Sequence, residues 1–387
     1  MRELILGSVL PRQIALVEDG KLCEWHVDQA GGETGRIILG SVERIVPGMK
    51  ACFVRIGEEK NGFLPITQEE RRTLRCGQEI LVQVRRDAQG MKGAFLDRHP
   101  VLAGRFLLFL PEGREIGVSA KITDENVREA LKRTGRALAG DGCGLVMRTS
   151  AADASEGEMR EELEELRTQW EEILRDSRMG GAPRLLYAED VLSRLLTDLI
   201  PQGIGRIVTS DPDTAERFGK VCPVSRVQED PLRQMGLYRK RDQALQRLVW
   251  LDSGAGLVVD ECEGLTVIDV NTQKFTGKTR DVQTTQLETN LEACDEIVRQ
   301  VRLRNLSGII LIDMIDMETE ENRQRVLSHL TECFRRDRVR TVIHGFTSLG
   351  LIEMTRKRTR RSLRSEICAP CPACHGQGYR ILEEYHG

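Results

Sequence analysis

Two apolar runs in this chain end on aspartate. Residues 265–271 read LTVIDVN and residues 307–317 read SGIILIDMIDM. Each places a short β-type run directly before a carboxylate, Asp269 in the first and Asp313 in the second. Strand alternation puts Asp269 and Asn271 on one side, so the two can face a common ligand. The plainer alternative is that Asp-x-Asn starts a turn, since both side chains hydrogen-bond local backbone well. Two neighbouring strands that end this way converge at the carboxyl edge of an α/β sheet, where such sheets place their sites. Two carboxylates and an amide are hard oxygen ligands, suited to Mg²⁺ or Mn²⁺. A metal so held can polarise a phosphodiester and supply a hydroxide nucleophile. For Asp313 a strand-end turn or helix N-cap is the competing reading, and Asp316 fits a loop or cap better than a ligand.

The surroundings support an α/β multidomain chain. At 387 residues it holds two to four compact units. Strands alternate with helices over 250–350; Leu287, Leu291, Cys294, Val298 and Val301 line one face of a helix, and 307–317 is expected to be a strand buried on both faces. Residues 212–250 read as mainly helical. Ser155 and Glu158 make a capping-box pattern ahead of Met159, Leu163, Leu166, Trp170 and Ile173 at helical spacing. From Gly35 onward, short alternating runs between Gly-rich turns predict a small closed barrel, and residues 1–30 a strand pair turned at EDGK.

Composition narrows the class. A net charge of −3 gives no global sign of a polyanion partner, so such a site must be a local patch. Basic residues concentrate late, at six of the nine positions 356–364. No apolar run approaches the roughly 18 residues of a membrane span, and the interrupted N-terminus is not expected to be a signal peptide. Of eleven cysteines, eight are scattered singly, the pattern of reduced, packed thiols in a cytoplasmic protein.

Three further stretches carry chemistry. Phe53 and Phe63, with Lys92, are the residues with which a five-stranded OB-type barrel grips single strands by stacking and phosphate pairing; the alternative is that both rings fill the barrel core. Arg148 followed by Thr149 offers a guanidinium fork and a hydroxyl for a terminal phosphate. Cys371 and Cys374 form one C-x-x-C pair, which cannot saturate tetrahedral zinc alone. Either a second chain supplies another pair, or Cys368 and a histidine such as His375 complete the site.

Taken in order, FVRIGEEKNGFLP, RTSA, TVIDVNT, TNLEACDEIVRQVRLRNLSGIILIDMIDM, GLIEMTRKR and CPACHGQG resemble the bacterial ribonuclease E/G family over nearly the whole chain. The resemblance implies a discontinuous ribonuclease-H-like scaffold (1–34 and 185–250). An S-one-type OB-fold barrel (35–112) and a 5′-sensor region (113–184) are inserted into it. A deoxyribonuclease-I-like catalytic subdomain (251–365) and a zinc link (366–387) follow. It implies Mg²⁺ on Asp269 and Asp313, with Asn271 on the scissile phosphate. A 5′-monophosphate would lie on Gly117, Arg148, Thr149 and Arg340, and single-stranded RNA on Phe53, Phe63 and Lys92. Zinc on Cys371 and Cys374 would be shared across a homodimer. Where the family usually has acidic residues, this chain has Gln283 and Thr284. It ends 13 residues after Cys374, so the domain that builds tetramers is not expected.

The expected activity is metal-dependent endonucleolytic cleavage of single-stranded RNA, preferring 5′-monophosphorylated ends. It would leave 5′-phosphate and 3′-hydroxyl products, in ribosomal RNA maturation or messenger turnover. The alternative from another class is a non-catalytic RNA-binding or ribosome-associated protein using the same barrel and basic segment.

Overall fold

The computed structural model describes residues 1–28, 34–88, 92–140, 142–219, 222–272, 282–374, 376 and 378. Residues Met1–Val27 with Gly205–Gly387 form one compact unit, and Asp28–Ile204 form another.

In the unit Asp28–Ile204, the strands Ile37–Val46, Ala51–Arg55, Gly62–Pro65, Phe95–Asp97 and Glu79–Arg86 pair in that order. Ile37–Val46 also pairs with Glu79–Arg86, closing a five-stranded barrel; Arg184–Tyr187 adds outside it against Ile37–Val46. Val54, Leu64, Val82 and Leu96 fill the barrel. A second sheet runs Ile116–Val118, Gly144–Met147, Leu107–Leu110, Leu102–Ala103. The helix Glu156–Ser177 covers it, and its start is the expected capping box. The Ser155 hydroxyl accepts from the Glu158 N–H, and the Glu158 carboxylate accepts from the Ser155 N–H. All five residues read as its apolar face, Met159 to Ile173, are buried.

The other unit holds two sheets. One runs Val224–Arg226, Arg206–Thr209, Arg2–Leu6, Arg12–Glu18, Lys21–Asp28, so N-terminal strands meet strands from the middle of the sequence in it. The second has six strands: Leu248–Trp250, Gly256–Glu261, Leu265–Asn271, Gly308–Asp313, Ile352–Arg356 and Thr341–Phe346. The helices Val282–Leu303 and Glu320–Phe334 pack on one face of it, over Ile268, Val270, Ile310 and Ile312.

One expectation needs correction. The strand Gly308–Asp313 is not buried on both faces: on its second side Ile309 is 49% exposed and Leu311 only half-buried. Residues 212–250 hold the helices Pro212–Phe218, Pro231–Gln234 and Leu237–Ala244, together with two short strands, Val224–Arg226 and Leu248–Trp250, each at the edge of a sheet.

The basic segment is also less available than its composition suggests. Arg356 is buried, bonded to Asp337 at 2.7 Å and to the Leu306 carbonyl at 2.9 Å, and Arg360 pairs with Glu366 at 3.1 Å. Arg302 bridges Glu18 and Glu24, and Arg338 also meets Glu24, so the helix Val282–Leu303 is tied to the five-stranded sheet by charges that are nearly dehydrated. No helix among the described residues is long and apolar enough to cross a membrane.

Candidate active site and flanking surfaces

The hairpin of Gly256–Glu261 and Leu265–Asn271 is antiparallel, and the next partner, Gly308–Asp313, runs parallel to Leu265–Asn271. Their register sets Asp269 directly opposite Asp313, at the carboxyl ends of both strands. Alternation buries Thr266, Ile268 and Val270 and turns Asp269 and Asn271 to the opposite, half-exposed face. Nδ2 of Asn271 donates to Oδ2 of Asp269 at 2.6 Å, so the amide and carboxylate already act as a pair. The Asp313 carboxyl is raised above its ordinary range, first by partial desolvation and then by the negative charges of Asp269 and Asp316. Crowded carboxylates of this kind are the donor set that a hard divalent cation relieves.

Two elements around these acids were not read from the sequence. Asn290, fully buried on the helix Val282–Leu303, donates Nδ2–H to the Ile315 carbonyl at 2.8 Å and accepts the Ile315 N–H at 3.0 Å. It thereby fixes the chain two residues beyond Asp313. Its signal was a polar residue on the apolar stripe between Leu287 and Cys294. On the neighbouring strand, Asp260 takes a two-point contact from Arg247 at 2.5 and 2.6 Å. At Gln283, one of the departures from the acidic pattern, Oε1 is buried without a hydrogen-bond partner among the described residues. Thr284 is exposed.

Phe53 and Phe63 lie outside the barrel core. They are opposed across adjacent strands, and Phe63 is opposed in turn to Phe95. Ring centroids are 6.0 Å apart for the first pair and 5.9 Å for the second. Arg44 sits over Phe53 at 5.3 Å and Arg86 over Phe95 at 4.5 Å. Three half-buried rings with two guanidinium groups make a continuous stacking surface. Phe95, Arg44 and Arg86 are additions to the sequence reading, which had no means of pairing strands. Lys92 is exposed on the same barrel.

Gly117 opposes Val146 in the parallel pair Ile116–Val118 with Gly144–Met147, and a Cβ on it would come within 3.2 Å of the Val146 side chain. This pairing brings Gly117 beside the strand that leads into Arg148 and Thr149. The Thr149 hydroxyl is 3.2 Å from that of Ser119. Arg148 donates to the Gly104 carbonyl at 2.6 Å and to Asp198 at 2.8 Å, so its fork is already shared between a backbone oxygen and a carboxylate. The loop carrying Gly104 is held by Glu162, which accepts the N–H groups of Arg105, Phe106 and Leu107 at 2.5, 2.9 and 2.8 Å. Arg340 belongs to the other unit, where it is exposed beside the strand Thr341–Phe346.

Cys368 and Cys371 are exposed thiols and Cys374 is half-buried, accepting the Gly378 N–H at 3.3 Å. His375 lies outside the described residues. Among the described residues, the one group of three metal-type side chains with ligand atoms within 4.8 Å is elsewhere: Asp295, His329 and Cys333.

The sequence signature of the Ribonuclease E/G family matches residues 101–359. Ribonuclease G of Escherichia coli (strain K12) is 36% identical to this chain over 409 residues, covering 97% of this chain and 83% of that protein. Ribonuclease G of Haemophilus influenzae is 36% identical over 412 residues, with the same coverage. Ribonuclease E of Synechocystis sp. is 33% identical over 408 residues, covering 96% of this chain and 60% of that protein. With the aligned strand-end acids and the barrel in place, these similarities establish that the chain belongs to the ribonuclease E/G family.

Proposed function

We propose that this chain cleaves single-stranded RNA internally at Asp269 and Asp313. Family membership makes it an endoribonuclease of RNA processing. The observation that supports the site assignment is the register pair Asp269–Asp313, on the face of the sheet opposite the buried Ile268, Val270 and Ile312. The donor set fits a hard cation: two carboxylates are opposed across one strand pair, and a third, Asp316, adds to the charge felt at Asp313. Asp269 and Asp313 would hold Mg²⁺ or Mn²⁺, which when bound supplies Lewis-acid polarisation of the phosphodiester and acidifies water. Asn271 gives one N–H to Asp269 and offers its other to a phosphate oxygen. Water attack leaves a 5′-phosphate and a 3′-hydroxyl.

Phe53, Phe63 and Lys92 grip the single strand by stacking and charge. Gly117, Arg148 and Thr149 read a 5′-monophosphate, for which Arg148 exchanges its Asp198 contact. The five-stranded sheet belongs to a ribonuclease-H-like scaffold and the six-stranded one to a deoxyribonuclease-I-like subdomain. Cys371 and Cys374 of two chains share one zinc in a homodimer, which metal analysis with light scattering tests as one zinc per two chains. Free thiols throughout are in keeping with a cytoplasmic enzyme acting on ribosomal precursors or messengers.

The deciding experiment incubates the full chain with a 5′-monophosphorylated or 5′-hydroxyl oligoribonucleotide, in Mg²⁺ or in EDTA. Internal cuts in Mg²⁺, faster on the monophosphate and absent in EDTA, are the expected result. Binding without cutting in Mg²⁺ would mark a non-catalytic RNA-binding protein instead.

A further inference from the structure

The helices Val282–Leu303 and Glu320–Phe334 carry a second set of metal-type ligands, separate from the strand-end acids and the C-terminal cysteines. His329 and Cys333 are four residues apart on one helix, so one turn brings them side by side. Asp295 reaches them from the facing helix. Nε2 of His329 lies 3.2 Å from Oδ1 of Asp295, Sγ of Cys333 lies 3.1 Å from that same oxygen, and Sγ and Nε2 are 3.5 Å apart.

These distances can be compared with what a metal requires. Tetrahedral zinc with ordinary Zn–N, Zn–O and Zn–S lengths holds its ligand atoms about 3.3 to 3.6 Å from one another. The observed triangle therefore admits the ion with shifts of a few tenths of an ångström, the metal replacing the hydrogen bonds that now link the three groups. Its frame is firm, because Cys294 next to Asp295, and Leu330 and Phe334 next to the other two, are buried in the core between the helices. Its mouth is open: the Asp295 side chain is 66% exposed and that of His329 38%.

We propose that Asp295, His329 and Cys333 form a site for zinc or a similar borderline cation. One thiolate, one imidazole and one carboxylate exclude Mg²⁺ as the preferred occupant, since soft sulfur selects against hard ions. Three protein ligands leave a fourth position for water, so the ion exchanges with the medium, unlike one closed in by four cysteines. Occupancy staples the helix that carries Asn290 to its neighbour. Because the ion binds only the folded arrangement, stability rises with its concentration.

Cobalt(II) titration of the metal-free full chain tests this, in a background with Cys368, Cys371 and Cys374 all changed to Ser. The expected result is one cobalt per chain, with a thiolate-to-cobalt charge-transfer band and the intense visible bands of tetrahedral cobalt. Zinc should bleach these and a large excess of Mg²⁺ should not. Adding Cys333→Ser should abolish the charge-transfer band. His329→Ala should weaken cobalt binding at least about tenfold, corresponding to one lost ligand. Absence of the band in the Ser background, or its survival with Cys333→Ser, would overturn the site. Should Cys333→Ser fail to fold by circular dichroism, His329→Ala decides, and an unchanged cobalt spectrum there refutes the proposal.

Discussion

Asn290 holds both backbone polar groups of Ile315 from a side chain with no exposure to solvent. A single amide thus stands in for a strand partner where the strand Gly308–Asp313 has just ended. Every buried N–H and C=O requires a partner, and here that requirement joins the helical core to the position of Asp313.

Replacing Asn290 with Ala leaves those two partly buried groups without their side-chain partner. Each such group costs about 1–3 kcal/mol, so thermal or urea unfolding should register a loss of roughly 2–4 kcal/mol. Cleavage measured well below the melting temperature should fall as well, up to about 100-fold, because small misplacements of catalytic groups are costly. Full activity in a destabilised variant would confine Asn290 to a structural role.

Asp269→Asn and Asp313→Asn should each slow cleavage by about a thousandfold or more, the scale of several kcal/mol of lost electrostatic stabilisation. RNA affinity should change little. Asp269→Asn also removes one of the charges that raise the Asp313 carboxyl, so the Asp313 pKa followed by carbon NMR should fall in that variant. A wild-type cleavage rate in either variant would disprove the site.

Arg148→Ala should slow cleavage of 5′-monophosphorylated RNA towards the rate for 5′-hydroxyl RNA, leaving the latter almost unchanged. Equal losses on both substrates would identify the contacts to the Gly104 carbonyl and Asp198 as the whole of its role.

Phe63 is the middle ring of the row Phe53, Phe63, Phe95. Its truncation to Ala should cost about 1–3 kcal/mol of single-strand affinity, the usual value of one stacked base. Phe95→Ala should cost a similar amount. Fluorescence titration with short RNA would check both, and unaltered affinity in Phe95→Ala would limit the surface to the first two rings.

Burial drives the His26 pKa down to about 3, helped by the Arg360 guanidinium and opposed by Glu24. The imidazole is therefore neutral in the folded chain, sharing its Nε2 hydrogen with Glu24 at 3.1 Å. An unfolded histidine takes up its proton near pH 6.5. Between about pH 6.5 and 3 the unfolded state binds the extra proton, so stability falls with pH by up to roughly 1.4 kcal/mol per unit. The Glu24 carboxylate, held low by Arg338 and its other partners against the cost of burial, adds a loss of the same sign at lower pH. His26→Gln should flatten the dependence of unfolding free energy between pH 6.5 and 4.5; an unchanged slope would show that His26 is protonated in the fold.

Local patterns in the sequence were enough to place Asp269, Asn271 and Asp313 at strand ends, with the first two on one face, because strand alternation and a carboxylate at a strand end are properties of a few consecutive residues. The capped helix Glu156–Ser177 was legible for the same reason: its cap and its stripe lie within one segment. What no local pattern contains is register. Only the parallel pairing of Leu265–Asn271 with Gly308–Asp313 decides that Asp269 meets Asp313 rather than Leu311. Register likewise sets Phe95 beside Phe63, and helix packing sets Asp295 against His329 and Cys333, across 34 and 38 positions of sequence. The face that exposes Ile309 was misread because an apolar run has the same composition whether one side or both are buried. Which side a helix covers is decided by long-range packing, where apolar area is removed from water only once distant segments meet.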